Sequence, residues 1–241
     1  MHRLLSDTQT LSSGAAILSS AAAKHLKVLR PRDGEDIELF DGRGAKRIFR
    51  YDAASKGLRA SPESAVVALP RPRSLTLFAC VTKGSRWDWT IEKSTELGVT
   101  RIVPVISERT IVRIPSAERA AKRERWMRVA EDAARQSDAV WLPEILEPVD
   151  FNDSIPLAKR TDCFVGALVK PVPAPLARAV ESARLAAPDG PSVYVGPEGD
   201  FTPDELKALL AFATPTTFGP TILRAETAAI FAVSVLSSRL A

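Results

Sequence analysis

The rhythm of apolar and polar positions changes at Pro70-Arg71-Pro72-Arg73. Downstream of it, short continuous apolar runs alternate with segments of helical spacing. Leu75–Val81, Arg101–Ile106, Cys163–Leu168 and Val193–Val195 read as strands, and continuous apolar runs suit a sheet covered on both faces. Trp87, Ile91 and Leu97 punctuate a helix that ends at Gly98. Ala117–Gln136 carries Trp126, Val129, Ala130 and Ala133 on one helical face. Ala174–Ala186, Glu205–Ala213 and a last segment lined by Ala229, Val233, Leu236 and Leu240 read as further helices. This alternation predicts an α/β fold with a mostly parallel sheet and helices on both faces.

Upstream of the break the pattern is β-like. Ile37–Phe40, the turn Asp41-Gly42-Arg43-Gly44 and Ile48–Tyr51 read as a hairpin. Ala65–Leu69 reads as another strand and Ser20–Leu29 as one short helix. A small, mostly β barrel over residues 1–72 fits these elements, followed by a larger α/β domain over 73–241.

Composition narrows the picture. The 241 residues contain no run of 18 apolar positions, so no membrane span is expected. The start, Met1 to Asp7, is too polar for a signal peptide. The two cysteines, Cys80 and Cys163, lie inside apolar runs and read as reduced core thiols of a cytoplasmic protein. With only His2 and His25 besides, no His/Cys metal site is expected. The net charge of +4 is uneven: residues 1–73 hold 13 Lys/Arg against 8 Asp/Glu. A basic N-terminal part suits a polyanion such as nucleic acid, and equally a merely soluble surface.

Chemistry concentrates in four segments. In the first, Val193–Val195 stops at Gly196-Pro197-Glu198-Gly199, and a helix begins just after it. Thr202 suits the N-cap, Pro203 the first helical position, and Glu205 the capping-box position. Such a turn lies where α/β sheets bind ligands. The second, Phe218 to Thr227, also follows an apolar run and precedes a helix, so it fits either an ordinary loop or a second wall of the same pocket. The third, Lys83 to Gly98, places Lys83 and Arg86 at a strand-to-helix turn suited to phosphate. Its Glu92 and Glu96 share a helix face that reads better as solvated than as paired acid and base. The fourth is the basic run Arg109 to Arg128, net +5, which fits a nucleic-acid backbone or a solvated helix face. There is no P-loop, serine elbow or dinucleotide fingerprint, since Arg47 stands where a third glycine would follow Gly42 and Gly44.

Taken in order, these segments resemble the RsmE family. The likeness rests on His25-Leu26-x-Val28-Leu29-Arg30, Leu39-Phe40-Asp41-Gly42-x-Gly44, Lys83-Gly84 through Glu96-Leu97-Gly98, and Ile102-Val103-Pro104 with Ser107-Glu108-Arg109. It continues through Arg125-Trp126, Ala133-Ala134-x-Gln136-Ser137 and Pro143-Glu144-Ile145. It closes on Gly196 to Gly199 and Gly219-Pro220-x-Ile222-Leu223-Arg224-x-Glu226-Thr227-Ala228. The resemblance implies an S-adenosylmethionine (SAM)-dependent methyltransferase of the SPOUT (trefoil-knot) class, acting on N3 of one uridine in 16S ribosomal RNA. It implies an N-terminal PUA-like β-barrel that helps hold RNA, a C-terminal knotted α/β domain and a homodimer. Thr221, Asp138-Ala139 and Asp200 stand where the family usually has Arg, Gly-Arg and Gly, and Lys24 replaces the first of a His-His pair.

On that resemblance the cofactor is expected against Ala167, Leu168, Val195, Gly196, Pro197, Glu198, Gly199, Phe218, Gly219, Leu223 and Thr227. Arg224 is expected to stabilise the uridine anion, and Glu226 to orient Arg224 or receive the proton. The two also suit a loop-fixing ion pair. Arg30, Arg43, Lys83, Arg86 and Arg109 are expected to contact 16S ribosomal RNA or the small subunit. The rival activities are 2′-O-ribose methylation and non-catalytic RNA binding in ribosome assembly.

Overall fold

The computed structural model describes residues 1–16 and 18–240. Its tertiary contacts divide the chain into two units, Met1–Pro72 with Ala134–Leu142, and Arg73–Ala133 with Pro143–Ala241. One unit thus gives way to the other at the Pro-Arg-Pro-Arg break. The return of residues 134–142 to the first unit is not visible in periodicity, because the segment begins as the end of a long helix and continues as irregular chain.

The first unit is a five-stranded sheet with two helices. Its elements are β1 (His2–Leu5), α1 (Thr8–Ser12), α2 (Ser20–Leu29), β2 (Asp36–Phe40), β3 (Ala45–Asp52), β4 (Gly57–Ala60) and β5 (Val67–Ala68). The strand order is β1-β2-β3-β4, with β5 also on β3. The hairpin falls where the turn signals put it, with Ile37 opposite Phe49 and Leu39 opposite Arg47. The strand read over Ala65–Leu69 shortens to two residues. Leu4, Leu11, Leu26, Ile37, Leu39, Phe49 and Leu58 form the core.

A buried ion network ties residues 134–142 to this sheet. Arg3 Nε donates to Glu38 Oε1 at 2.7 Å, and Lys46 Nζ lies 2.8 Å from Glu38 Oε2. Arg3 Nη1 also donates to the Ala134 carbonyl at 2.7 Å and Nη2 to that of Ala139 at 3.2 Å. Buried charges persist only when paired and hydrogen-bonded like this.

The second unit comprises β6 (Thr76–Cys80), α3 (Ser85–Glu96), β7 (Arg101–Ile106), α4 (Ser116–Gln136, its last residues belonging to the first unit), β8 (Glu144–Ile145) and β9 (Val149–Asp150). It continues with α5 (Phe151–Ala158), β10 (Asp162–Gly166), α6 (Leu176–Ser182), β11 (Pro191–Val195), α7 (Pro203–Leu210), β12 (Thr214–Thr216) and α8 (Ala225–Leu240). Its seven strands run β12-β10-β11-β6-β7-β8, with β9 also on β7, and every pairing is parallel.

Both faces are covered, as the apolar runs predict. Leu77, Ala79, Val193 and Val195 face the core shared with α3, α4, α6 and α8. Phe78, Cys80 and Tyr194 face the opposite core, shared with α5 and α7. Cys80 and Cys163 are free and buried, and burial pushes both thiols up to about 12. Helix α5 has no counterpart in the sequence reading, because Pro156 sits inside it and reads as a breaker. Its place is set by Phe151, which packs on Tyr194 and Phe201 with ring centroids 6.0 and 6.1 Å apart.

Candidate active site

Parallel pairing brings three strand ends to one edge of the second sheet. β12, β10 and β11 are neighbours, so the loops that follow them emerge together. They enclose a cavity of about 530 Å³. Gly166, Ala167 and Leu168 wall it at the end of β10, Val195 to Glu198 at the end of β11, and Thr216 to Ala225 at the end of β12. Val172, Asp200 and Ala228 complete the lining.

The β11 loop is shaped by its own turn and by the helix after it. The Asp200 N–H donates to the Pro197 carbonyl at 3.0 Å, and Asp200 sits at φ 59°. Asp tolerates that left-handed conformation better than most residues, because its short side chain bonds locally. Here Asp200 Oδ1 accepts from the Phe201 N–H at 2.7 Å. Asp138, which also replaces a glycine of the family pattern, has φ 58°. The capping box predicted at Thr202 and Glu205 is present, with Pro203 opening α7. Glu205 Oε1 additionally accepts from the Glu108 N–H at 2.9 Å. Phe201 then locks the turn to the core, edge-on to Tyr194 at 5.6 Å.

The β12 loop is held from the other side. Ala167 N–H donates to the Thr216 carbonyl, and Leu176 N–H to that of Thr217, both at 3.0 Å. A Cβ on Gly166 would stand 2.4 Å from the Phe218 ring, so only glycine leaves that ring its place. Gly219 has φ 136°, and a Cβ there would meet nothing within 4 Å. Its backbone is therefore open to a ligand. The N–H groups of Ile222 and Leu223 make no hydrogen bond among the described residues.

Most of the expected cofactor residues line this one cavity: Ala167, Leu168, Val195, Gly196, Pro197, Glu198, Phe218, Gly219 and Leu223. Gly199 turns its carbonyl to Arg109 Nη1 at 3.1 Å, and Thr227 is exposed on the first turn of α8. Gly166, Val172, Thr216 and Thr217 line the cavity without having been singled out, and Asp200, noted only as a departure from the family pattern, lines it as well. Their signal was continuity with the two loops, which sequence spacing alone does not extend into walls.

Arg224 lines the cavity from its exposed side and has no ion-pair partner among the described residues. Glu226 is only 7% exposed. Its Oε1 lies 3.8 Å from Arg86 Nε, and its Oε2 has no hydrogen-bond partner among the described residues. The ion pair considered between Arg224 and Glu226 does not form; Arg86 takes Arg224's place. Arg86 Nη1 also lies 3.6 Å from Glu198 Oε1, on the cavity wall.

Of the cations expected to meet RNA, Lys83 is exposed beside α3. Arg30 caps α2 at φ 49°, and Arg43 lies in the hairpin turn, where its N–H donates to Asp41 Oδ1 at 2.8 Å. Much of the basic run is engaged within the chain. Arg113 donates to the Ser107 carbonyl, Arg119 to Asp150, Arg123 to the Ile145 carbonyl and Arg125 to Asp88. The ion pairs of Arg119 and Arg125 offset charge that α4 could offer a backbone groove, whereas the carbonyl bonds fix Arg113 and Arg123 without neutralising them. Glu92 and Glu96 both meet Lys93 Nζ at 2.8 Å, an ordinary surface network. Among the described residues no His/Cys/Asp/Glu group is arranged to hold a metal ion, and no helix is long and apolar enough to cross a membrane.

The class of protein follows from comparison with this fold and site in view. Residues 69–237 match the RNA methyltransferase domain family. A putative methyltransferase from Legionella pneumophila, solved in complex with SAM, superposes with a TM-score of 0.83 at 28% identity, covering 98% of this chain and 97% of that one. A ribosomal RNA small subunit methyltransferase E from Neisseria gonorrhoeae, solved bound to SAM, gives 0.80 at 29% identity, covering 99% and 98%. The enzyme of the same name from Mycobacterium bovis is 31% identical over 97% of this chain and 91% of its own length. The chain belongs to the RNA methyltransferase family and, within it, to the ribosomal RNA small subunit methyltransferase E (RsmE) family.

Proposed function

We propose that this protein is a SAM-dependent methyltransferase of 16S ribosomal RNA that modifies N3 of one uridine. The observation that carries the reading is the cavity at the carboxyl ends of β10, β11 and β12, with Arg224 at its wall; Glu226, between the lining residues Ala225 and Ala228 on α8, does not itself line it. The lining suits a nucleoside sulfonium. Its volume of about 530 Å³ lies in the range of about 300–1,000 Å³ usual for small-molecule sites. Its walls are apolar side chains and open backbone at Gly219, Ile222 and Leu223, which can recognise an adenine edge without a fingerprint side chain.

When bound, SAM supplies an electrophilic methyl group on a sulfonium. The protein's own part is position and electrostatics. The Arg224 guanidinium stabilises negative charge on the uracil ring once N3 has lost its proton. Glu226 Oε2, buried and without a hydrogen-bond partner among the described residues, is the acceptor for that proton.

RNA is held by the basic first unit, through Arg30 and Arg43, and by Lys83 beside the site, with Arg86 and Arg109 shaping the cavity loops. The exposed apolar side chains of Leu168, Val172 and Ile222 at the cavity support a homodimer built over this edge. The protein acts in the cytoplasm, where its substrate is made. Mass spectrometry of 16S ribosomal RNA from cells lacking the protein tests the activity. Loss of a base methyl on one uridine is expected. Loss of a ribose methyl would assign 2′-O chemistry, and no binding of SAM by calorimetry would reduce the protein to an RNA-binding module.

A further inference from the structure

We infer that Arg86 is a positioning residue of the methyl-transfer site, acting through Glu226 and Glu198 and not through RNA. The inference rests on the reading of Glu226 as proton acceptor.

Arg86 lies in the first turn of α3, the end of a helix where a cation is disfavoured by the backbone dipole. Two carboxylates offset that cost. Glu226 is on the first turn of α8 and Glu198 is in the loop after β11, so one guanidinium faces both the helix and the cavity wall. The separations, 3.8 and 3.6 Å, exceed the roughly 2.7–2.9 Å of a charge-assisted hydrogen bond. Arg86 therefore acts as a counter-charge shared between two acids, not as a bidentate clamp on one. Its side chain is 47% exposed, whereas that of Glu226 is 9% exposed.

The consequence lies in Glu226. A buried carboxylate needs a compensating charge. Arg86 supplies it at Oε1 and leaves Oε2, buried and without a hydrogen-bond partner among the described residues, as the oxygen read as the proton acceptor. Through Glu198 the same guanidinium joins the cofactor wall to the proton acceptor. Loss of Arg86 is then expected to disturb the acceptor during turnover, and the cofactor wall at equilibrium.

The test combines turnover with cofactor binding, on the full-length chain. Arg86→Gln is expected to lower kcat by about 10²-fold, the lower range for a displaced general base, while KM for ribosomal RNA stays within about threefold. Arg86→Lys, which keeps a point charge, is expected to recover most of kcat, because no bidentate geometry is required. In a Glu226→Gln background, Arg86→Gln is expected to cost less than about threefold more, since residues acting as a unit are non-additive. SAM affinity by calorimetry is expected to weaken about threefold to tenfold in Arg86→Gln, and this loss to disappear in a Glu198→Gln background.

An unchanged kcat in Arg86→Gln, or full additivity with Glu226→Gln, would overturn the inference. So would a raised KM for RNA with a shallower salt dependence and normal kcat, which would make Arg86 a phosphate contact. Failure of the wild-type protein to bind SAM would overturn the underlying reading instead, and that measurement comes first.

Discussion

Replacing Gly166 by alanine tests the cavity with a single methyl group. The new Cβ would stand 2.4 Å from Phe218 Cε2 and 2.7 Å from Cζ. Carbon atoms rest about 3.5–4.0 Å apart, so the ring edge must retreat by about 1 Å. Gly166 has no positive φ, so its backbone accepts alanine without strain. The atoms that must move belong to the far end of a side chain that itself lines the cavity. Phe231 packs on the same ring, with centroids 6.1 Å apart. The folding cost is therefore expected at the low end of overpacking, about 1 kcal/mol, which lowers Tm by about 2–4 °C in a chain of this size. SAM affinity, measured by calorimetry, is expected to fall at least about tenfold, equivalent to about 1.4 kcal/mol. Adding Phe218→Leu, which shortens the displaced side chain, is expected to return part of that loss. A Gly166→Ala protein that binds SAM within about twofold of wild type would refute both the location of the cofactor and the argument from ring displacement.

Other expectations separate chemistry from architecture. Arg224→Ala and Glu226→Gln are each expected to lower kcat by about 10²–10³-fold while SAM affinity stays within about threefold, in single-turnover assays on 16S ribosomal RNA. Asp200→Val is expected to destabilise the fold by about 1–2 kcal/mol, because φ 59° places Cβ against the following carbonyl, whereas Asp200→Gly stays within about 1 kcal/mol; denaturant midpoints measure both. Cys80 and Cys163 ionise near 9.0 in the unfolded chain but only at about 12 when buried. Their contribution is whole below pH 9 and is lost as pH rises towards 12, by about 1.4 kcal/mol per pH unit for each thiol. The Cys163→Ala protein is therefore expected to lose less stability than wild type between pH 8 and pH 10.5.

Much of this protein is legible in its sequence because the signals are local. The strand over Arg101–Ile106, the helices read over Ser20–Leu29 and Ala117–Gln136, the hairpin at Gly42 and the capping box at Thr202 each depend on neighbours within a few residues, and each is found, the long helix starting one residue earlier at Ser116. Segments whose local signal is weak or contrary were not legible. Helix α5 carries a proline, β12 is three residues with Pro215 inside it, and α6 is shorter than its apolar spacing suggests. Asp138 and Asp200 look like departures from a pattern until their φ angles show that each occupies a left-handed position that glycine also suits.

The loop after β11 could be picked out from the order of residues alone, since a strand, a glycine turn and a capped helix are written contiguously at Val195 to Glu205, and it lines the cavity. The motifs, taken in order, also resemble the RsmE family, and comparison with its members bears that resemblance out. The partners of the charges were decided only by tertiary structure. Arg86 and Glu226 are 140 positions apart in the chain, and no periodicity links them; α3 and α8 bring them together by packing on one face of the same sheet. The same packing spends Arg109 on the Gly199 carbonyl and Arg125 on Asp88, although their spacing alone suggests a basic surface. Charge acts through distance in space. A one-dimensional pattern records only distance along the chain, so a buried carboxylate and its counter-charge become visible only when the sheet has set the two helices side by side.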